Sequence, residues 1–147
     1  MISAEGSLGR VFVLRLEDKD TIPGSIEEFA STHRIDRAFC VALGGIAEGK
    51  LVTGPQEGSA RPVIPTMTNI EDVHELVAVG TLFPAADGTP RLHMHGALGR
   101  EGTTRTGCVR AGLEVWQVCE VVLVEILGVD MERVLDLATG FEVLSRR

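Results

Sequence analysis

Tyrosine is absent from this chain, tryptophan occurs once, and aromatic residues make up only 4% of its 147 positions. The core must therefore be aliphatic. Basic residues are also scarce, 14 Lys and Arg against 21 Asp and Glu, for a net charge of −7. The only clustered pair is Arg146-Arg147 at the tail. An acidic surface is repelled by phosphate backbones, so nucleic-acid binding by this chain alone is disfavoured. No apolar run approaches the roughly 20 residues of a membrane span. The opening residues, Met1 to Gly6, lack the charged and apolar regions of a signal peptide. Three cysteines (Cys40, Cys108, Cys119) are too few and of the wrong parity for a disulfide scaffold. That count points to a reducing cytoplasm.

What is present is a chain with 44% hydrophobic residues and a mean hydropathy of +0.18, enough for a well-buried single domain over 1–147. Arg10 to Leu16 reads as a first strand with Arg15 facing solvent. Thr21 to Arg34 reads as a helix. Ser25-x-x-Glu28 has capping-box spacing, Ile26, Phe29 and Ala30 mark the buried face, and His33 sits at the surface of the last turn. Asp36 to Leu43 is strand-like and ends at Gly44-Gly45, where a bulge or a close backbone approach is expected. A short strand starts at Lys50, and Pro62 and Pro65 demote the segment between them to an edge. Val73 to Leu82 is apolar on both alternating sets, as expected of a central strand covered on both faces, with His74 at the surface. Gly112 to Gly128 could exceed about 40 Å as one strand, so it is expected to bend or to serve both a sheet and an interface. Two short strands, Glu132 to Asp136 and Phe141 to Leu144, form a terminal hairpin. Cys40 and Cys119 fall in apolar strands as core thiols. The fold class is α+β, one main helix on a mixed or antiparallel sheet.

The chemistry concentrates between Arg91 and Cys108. His93 and His95 are two residues apart, so in a strand they share a face while Met94 takes the other. The turn signal lies at Gly99-Arg-Glu-Gly102. A reversal near Glu101 brings Cys108 opposite His93 or His95, and opposed residues point to the same face. One hairpin thus delivers two imidazoles and a thiolate to one point, a ligand set that zinc accepts. Three protein ligands leave a fourth position open. The bland alternative is an exposed strand face beside a small buried cysteine.

The chain also resembles the PPC (plants and prokaryotes conserved) domain family. The residues that carry this are Val11 to Leu16, Ala42-Leu-Gly-Gly-Ile-Ala47, Glu75 to Thr81, Asp87-Gly-Thr-Pro-Arg-Leu-His-Met-His-Gly-Ala-Leu-Gly99, Thr106-Gly-Cys-Val109 and Cys119 to Leu123. The resemblance covers about 10–144 and implies a mixed sheet assembled as a homotrimer. Plant members carry an AT-hook that grips the minor groove, and this chain has no Arg-Gly-Arg-Pro hook. Where the family has His in a Gly-Gly-His-Leu pattern, this chain has Cys108, which exchanges one zinc ligand type for another.

Three readings follow. The first is a trimeric, zinc-binding module, regulatory or taking a small-molecule ligand. The second is a zinc-dependent lyase or hydrolase acting on a small oxo-acid or ester, with Glu75 or Glu120 handling the proton. It is prompted by a fold-level similarity to acetolactate decarboxylase. The third is a DNA-binding protein, as in plant members.

Overall fold

The computed structural model describes residues 1–146. Arg147, half of the basic tail pair, lies outside the described residues. Ten strands and one α-helix follow in the order β1 (Ser7–Glu17), β2 (Thr21–Ile22), α1 (Gly24–Thr32), β3 (Ala38–Pro55), β4 (Pro65–Ile70), β5 (His74–Pro84), β6 (Pro90–Arg100), β7 (Thr103–Cys108), β8 (Leu113–Leu127), β9 (Met131–Asp136) and β10 (Phe141–Arg146). All strand pairings are antiparallel. The main sheet runs β1-β8-β3-β5-β6-β7, with β2 on β8 and β4 on the far half of β3. β9 and β10 form a separate two-stranded hairpin.

The helix is shorter than its apolar spacing predicts, because Thr21 and Ile22 pair with Glu114 and Leu113 of β8. Pro23 sets this boundary, since a proline disfavours helical geometry in the residue before it. No capping box forms at Ser25. The N-cap is Pro23, and the Ser25 hydroxyl instead accepts the Thr21 N–H at 3.1 Å. At the other end, Arg34 takes a left-handed φ of 55° and stops the helix. Ile26 and Ala30 are buried as expected, while Phe12 and Phe29 meet edge-to-face at 5.4 Å.

The inward face of the sheet carries Cys40, Ala42, Leu76, Leu82, Met94, Leu98 and Leu123, all buried with the helix residues in one cluster. β3 does not stop at the double glycine. It continues through a bulge, where the β8 partner jumps from Cys119 to Trp116. A Cβ on Gly44 would sit 2.4 Å from the Val118 carbonyl oxygen, so the two strands approach too closely there for any side chain. Gln117 of the bulge has φ of 63°, and this is where the long β8 bends. The bent β3 then swings its far end back to β7, and Val52 pairs with Cys108. β3, β5, β6 and β7 thereby close into a ring.

β5 is central, and its outward face is covered only toward Thr81 and Phe83, where Arg133 reaches it. Val77 is 71% exposed and Val79 is 50% exposed. The same outward face includes Val11, Val13 and Leu43, all exposed. One rung across this face runs Val13, Val122, Val41, Val79, His95 and Cys108. His74 departs from its expected surface position. It belongs to the inward set of β5, is 7% exposed, and places Nδ1 2.9 Å from the Asp72 carbonyl. Among the described residues, no helix is long and apolar enough to cross a membrane.

Candidate metal centre

The β6–β7 hairpin has the expected register. Arg100 pairs with Thr103, leaving Glu101 and Gly102 as the two turn residues. Both have positive φ, 49° and 76°, which is the requirement of a type I′ turn and the reason for glycine there. From this turn the ladder counts back to His95 opposite Cys108. Met94 points inward and is buried, while His93 and His95 point outward.

The two imidazole Nε2 atoms lie 3.2 Å apart, and the ligand atoms of His93, His95 and Cys108 all fall within 4.8 Å of one another. A tetrahedral ion bound at about 2.0–2.1 Å by two nitrogens holds them about 3.3 Å apart. The observed spacing therefore fits a shared zinc, and it equally fits an N–H···N hydrogen bond between two neutral rings. Among the described residues this is the one such group of His, Cys, Asp or Glu.

The other two thiols are unsuited to ligation. Burial pushes Cys40 up to about 12 and Cys119 up to about 11, so both remain protonated core groups. His93 is displaced the other way. Desolvation chiefly, then the charges of Arg133, His95 and Arg110, lower its pKa and favour the neutral, lone-pair-bearing ring.

These side chains stand in a cleft of about 890 Å³. The β9–β10 hairpin forms one wall with Arg133, Phe141 and Glu142. Arg133 fastens this wall to β5, donating from Nη2 to the carbonyl and hydroxyl oxygens of Thr81 at 3.3 and 3.2 Å. Arg110 follows Cys108 in a single 3-10 turn (Val109–Ala111) and lies 5.8 Å from the Phe141 ring centroid. Glu27 of α1 also reaches the cleft, and its carboxylate accepts the Leu92 N–H at 2.8 Å.

The structure brings together His93, His95 and Cys108. It does not bring Glu75 or Glu120 to them, since neither lines the cleft. Glu75 pairs with Gly99 of β6, four residues from His95, and is exposed. Glu120 pairs with Leu43 on the far side of β3. The cleft's arginines are what the sequence reading missed. Arg110 adjoins a candidate ligand and was within reach of such a reading. Arg133 has no local signal, because its importance depends on where the terminal hairpin folds.

No curated protein matches the chain. Among solved structures, it is similar to the metal-containing protein AF0104 of Archaeoglobus fulgidus, with 26% identity, a TM-score of 0.87, and coverage of 99% of this chain and 100% of that one. It is also similar to a plant- and prokaryote-conserved protein of Pyrococcus horikoshii, with 25% identity, a TM-score of 0.82, and 99% of each chain covered. A protein of Ralstonia eutropha described as a candidate DNA binder shares the fold, with 19% identity, a TM-score of 0.73, and 92% and 90% covered. The Plants and Prokaryotes Conserved (PCC) domain matches residues 3–127, from before β1 to the end of β8, and the chain belongs to that family.

Proposed function

We propose that this chain is a homotrimeric, zinc-binding member of its family, with His93, His95 and Cys108 as the metal ligands. It serves as a ligand-binding or regulatory module. The observation that carries this is the outward-facing cluster itself. Two exposed imidazoles with nitrogens 3.2 Å apart line a cleft, and the buried Cys108 thiol lies within 4.8 Å of them at its wall. Mixed nitrogen and sulfur ligands select zinc over harder cations. The Archaeoglobus relative is named as metal-containing, which supports the same reading. A bound zinc would offer a Lewis-acidic fourth position to a small molecule. The protein's own contribution is to hold the two rings in register, through the β6 ladder, and to keep the thiol beside them.

The trimer is supported by the exposed aliphatic rows of the outward face, since soluble monomers rarely leave a large contiguous apolar patch uncovered. The enzyme reading is weaker, because neither Glu75 nor Glu120 adjoins the cluster. DNA binding is opposed by the charge of −7.

Elemental mass spectrometry of protein purified without chelator tests the metal. About one zinc per chain supports the reading. No metal after zinc is added back refutes it and leaves two ordinary strand histidines. Light scattering tests the assembly. A mass of about 47 kDa, three times 15.8 kDa, is expected, and a stable 15.8 kDa species would refute the trimer.

A further inference from the structure

The cleft around the cluster has the opposite electrostatic character to the chain as a whole. The chain carries 14 basic against 21 acidic residues. The cleft is lined by three arginines, Arg91, Arg110 and Arg133, against two carboxylates, Glu27 and Glu142. Glu27 already accepts a backbone N–H. A bound dication with one thiolate ligand would leave a further positive charge.

Arg133 is the decisive group. It is only 6% exposed, and its Nε–H is buried with no hydrogen-bond partner. Its remaining bonds go to neutral oxygens of Thr81. None of the ion pairs among the described residues involves Arg133 or Arg110. The Glu142 carboxylate is near enough to favour the charged guanidinium but makes no ion pair with it, and buried charges are ordinarily paired directly. Arg133 nonetheless faces the same cleft as the two histidines and Cys108. A planar guanidinium fork with a free N–H is suited to an oxyanion. Phe141, Val143 and Leu144 give the same cleft an apolar side.

We propose that this cleft recognises a small oxyanion, a carboxylate or a phosphate, held by Arg133 and Arg110 beside the His93–His95–Cys108 cluster. The anion supplies the direct ionic partner that Arg133 lacks among the described residues. An attached short apolar portion lies against Phe141 and its neighbours. The proposal deepens the metal-site reading and rests on it for the metal's share of the binding. The arginine share stands alone.

The test uses the full chain, zinc-loaded and zinc-free, titrated by calorimetry and NMR with butyrate, inorganic phosphate and neutral butyramide. Zinc stoichiometry is measured first in every sample, so failure of the metal reading is seen separately. Butyrate or phosphate should bind the zinc-loaded protein in preference to butyramide. The preferred anion assigns the class. Arg133→Gln should weaken that anion about 10- to 100-fold, the worth of a charged hydrogen bond, with zinc content unchanged. Arg110→Gln, at an exposed position, should weaken it by a smaller factor and decides the matter if Arg133→Gln fails to fold. Equal binding of butyrate, phosphate and butyramide would overturn the proposal. So would anion affinity that is unchanged in every folded arginine variant.

Discussion

Replacing Cys108 separates the metal reading from the bland one most directly. Cys108→Ala removes one of the three proposed ligands from the cluster, whereas Cys119→Ala removes a thiol of the same kind from the core. Zinc sites with four ligands bind with about 10–16 kcal/mol at neutral pH, or about 2.5–4 kcal/mol per ligand if divided evenly. Loss of the thiolate should therefore weaken zinc about 10²- to 10³-fold. Cys119 is fully buried, and its protonated state keeps it from ligating. Its truncation leaves a small void and costs about 1 kcal/mol of stability, with zinc affinity unchanged. The assay is competition against a chromogenic zinc chelator, with thermal melts alongside to separate affinity from folding. Cys108→His, which keeps a ligand at this position, should recover most of the lost affinity. Equal zinc affinity in Cys108→Ala and Cys119→Ala would refute the ligand assignment. Metal loss confined to Cys119→Ala would refute the geometry as well.

Three further outcomes are expected. Gly107→Ala would place a Cβ 2.6 Å from the Val52 carbonyl oxygen, so β7 must shift away from β3. It should cost about 1–3 kcal/mol in chemical denaturation and lower zinc retention, and wild-type behaviour in both would refute the close approach. Small alkylating reagents should modify Cys108 alone in the native protein, with zinc protecting it, because Cys40 and Cys119 are held protonated at about 12 and about 11. Mass spectrometry showing Cys40 or Cys119 labelled first would contradict this. The hydrogen bond from Arg10 holds Glu125 down to about 2, below the ordinary value of about 4.3. Its stabilisation is present above about pH 4.3 and is lost as pH falls toward about 2, so Glu125→Gln should flatten the acid limb of the stability profile read by pH-dependent melts.

Local chemistry made the hairpin legible from the sequence. A two-residue turn at Glu101-Gly102 fixes the register, and strand alternation then assigns His93, His95 and Cys108 to one face. The double glycine was a sound signal of close approach, but not of a strand end, since a bulge lets β3 bend and continue. His74 shows the limit of reading polarity as exposure. Its strand position faces inward, and a backbone carbonyl satisfies its ring. Apolar residues on both sets of β5 marked a central strand, yet a single chain leaves the outward set bare at Val77 and Val79. Glu75 and Glu120 were plausible proton handlers by composition alone, and only the pairing of whole strands reveals their separation from the cluster. Arg133 is the converse case. Its place in the cleft depends on how a hairpin beyond the family-matched residues folds over β5, which no local pattern encodes.

The closure of the β3–β5–β6–β7 ring has a consequence for dynamics. Its seam is a single ladder pair, Val52 with Cys108, and one member of that pair is also a candidate metal ligand. If Cys108 holds a metal as proposed, opening the seam and releasing the metal would be the same local event. Occupancy at a hundred times the dissociation constant would add about 2.7 kcal/mol to the closed form. Amide exchange at the end of β7 would slow by about two orders of magnitude, while that of β1, at the opposite edge, would barely change. The metal would thus act as a clasp on one side of the molecule, and its concentration would set how often that side opens.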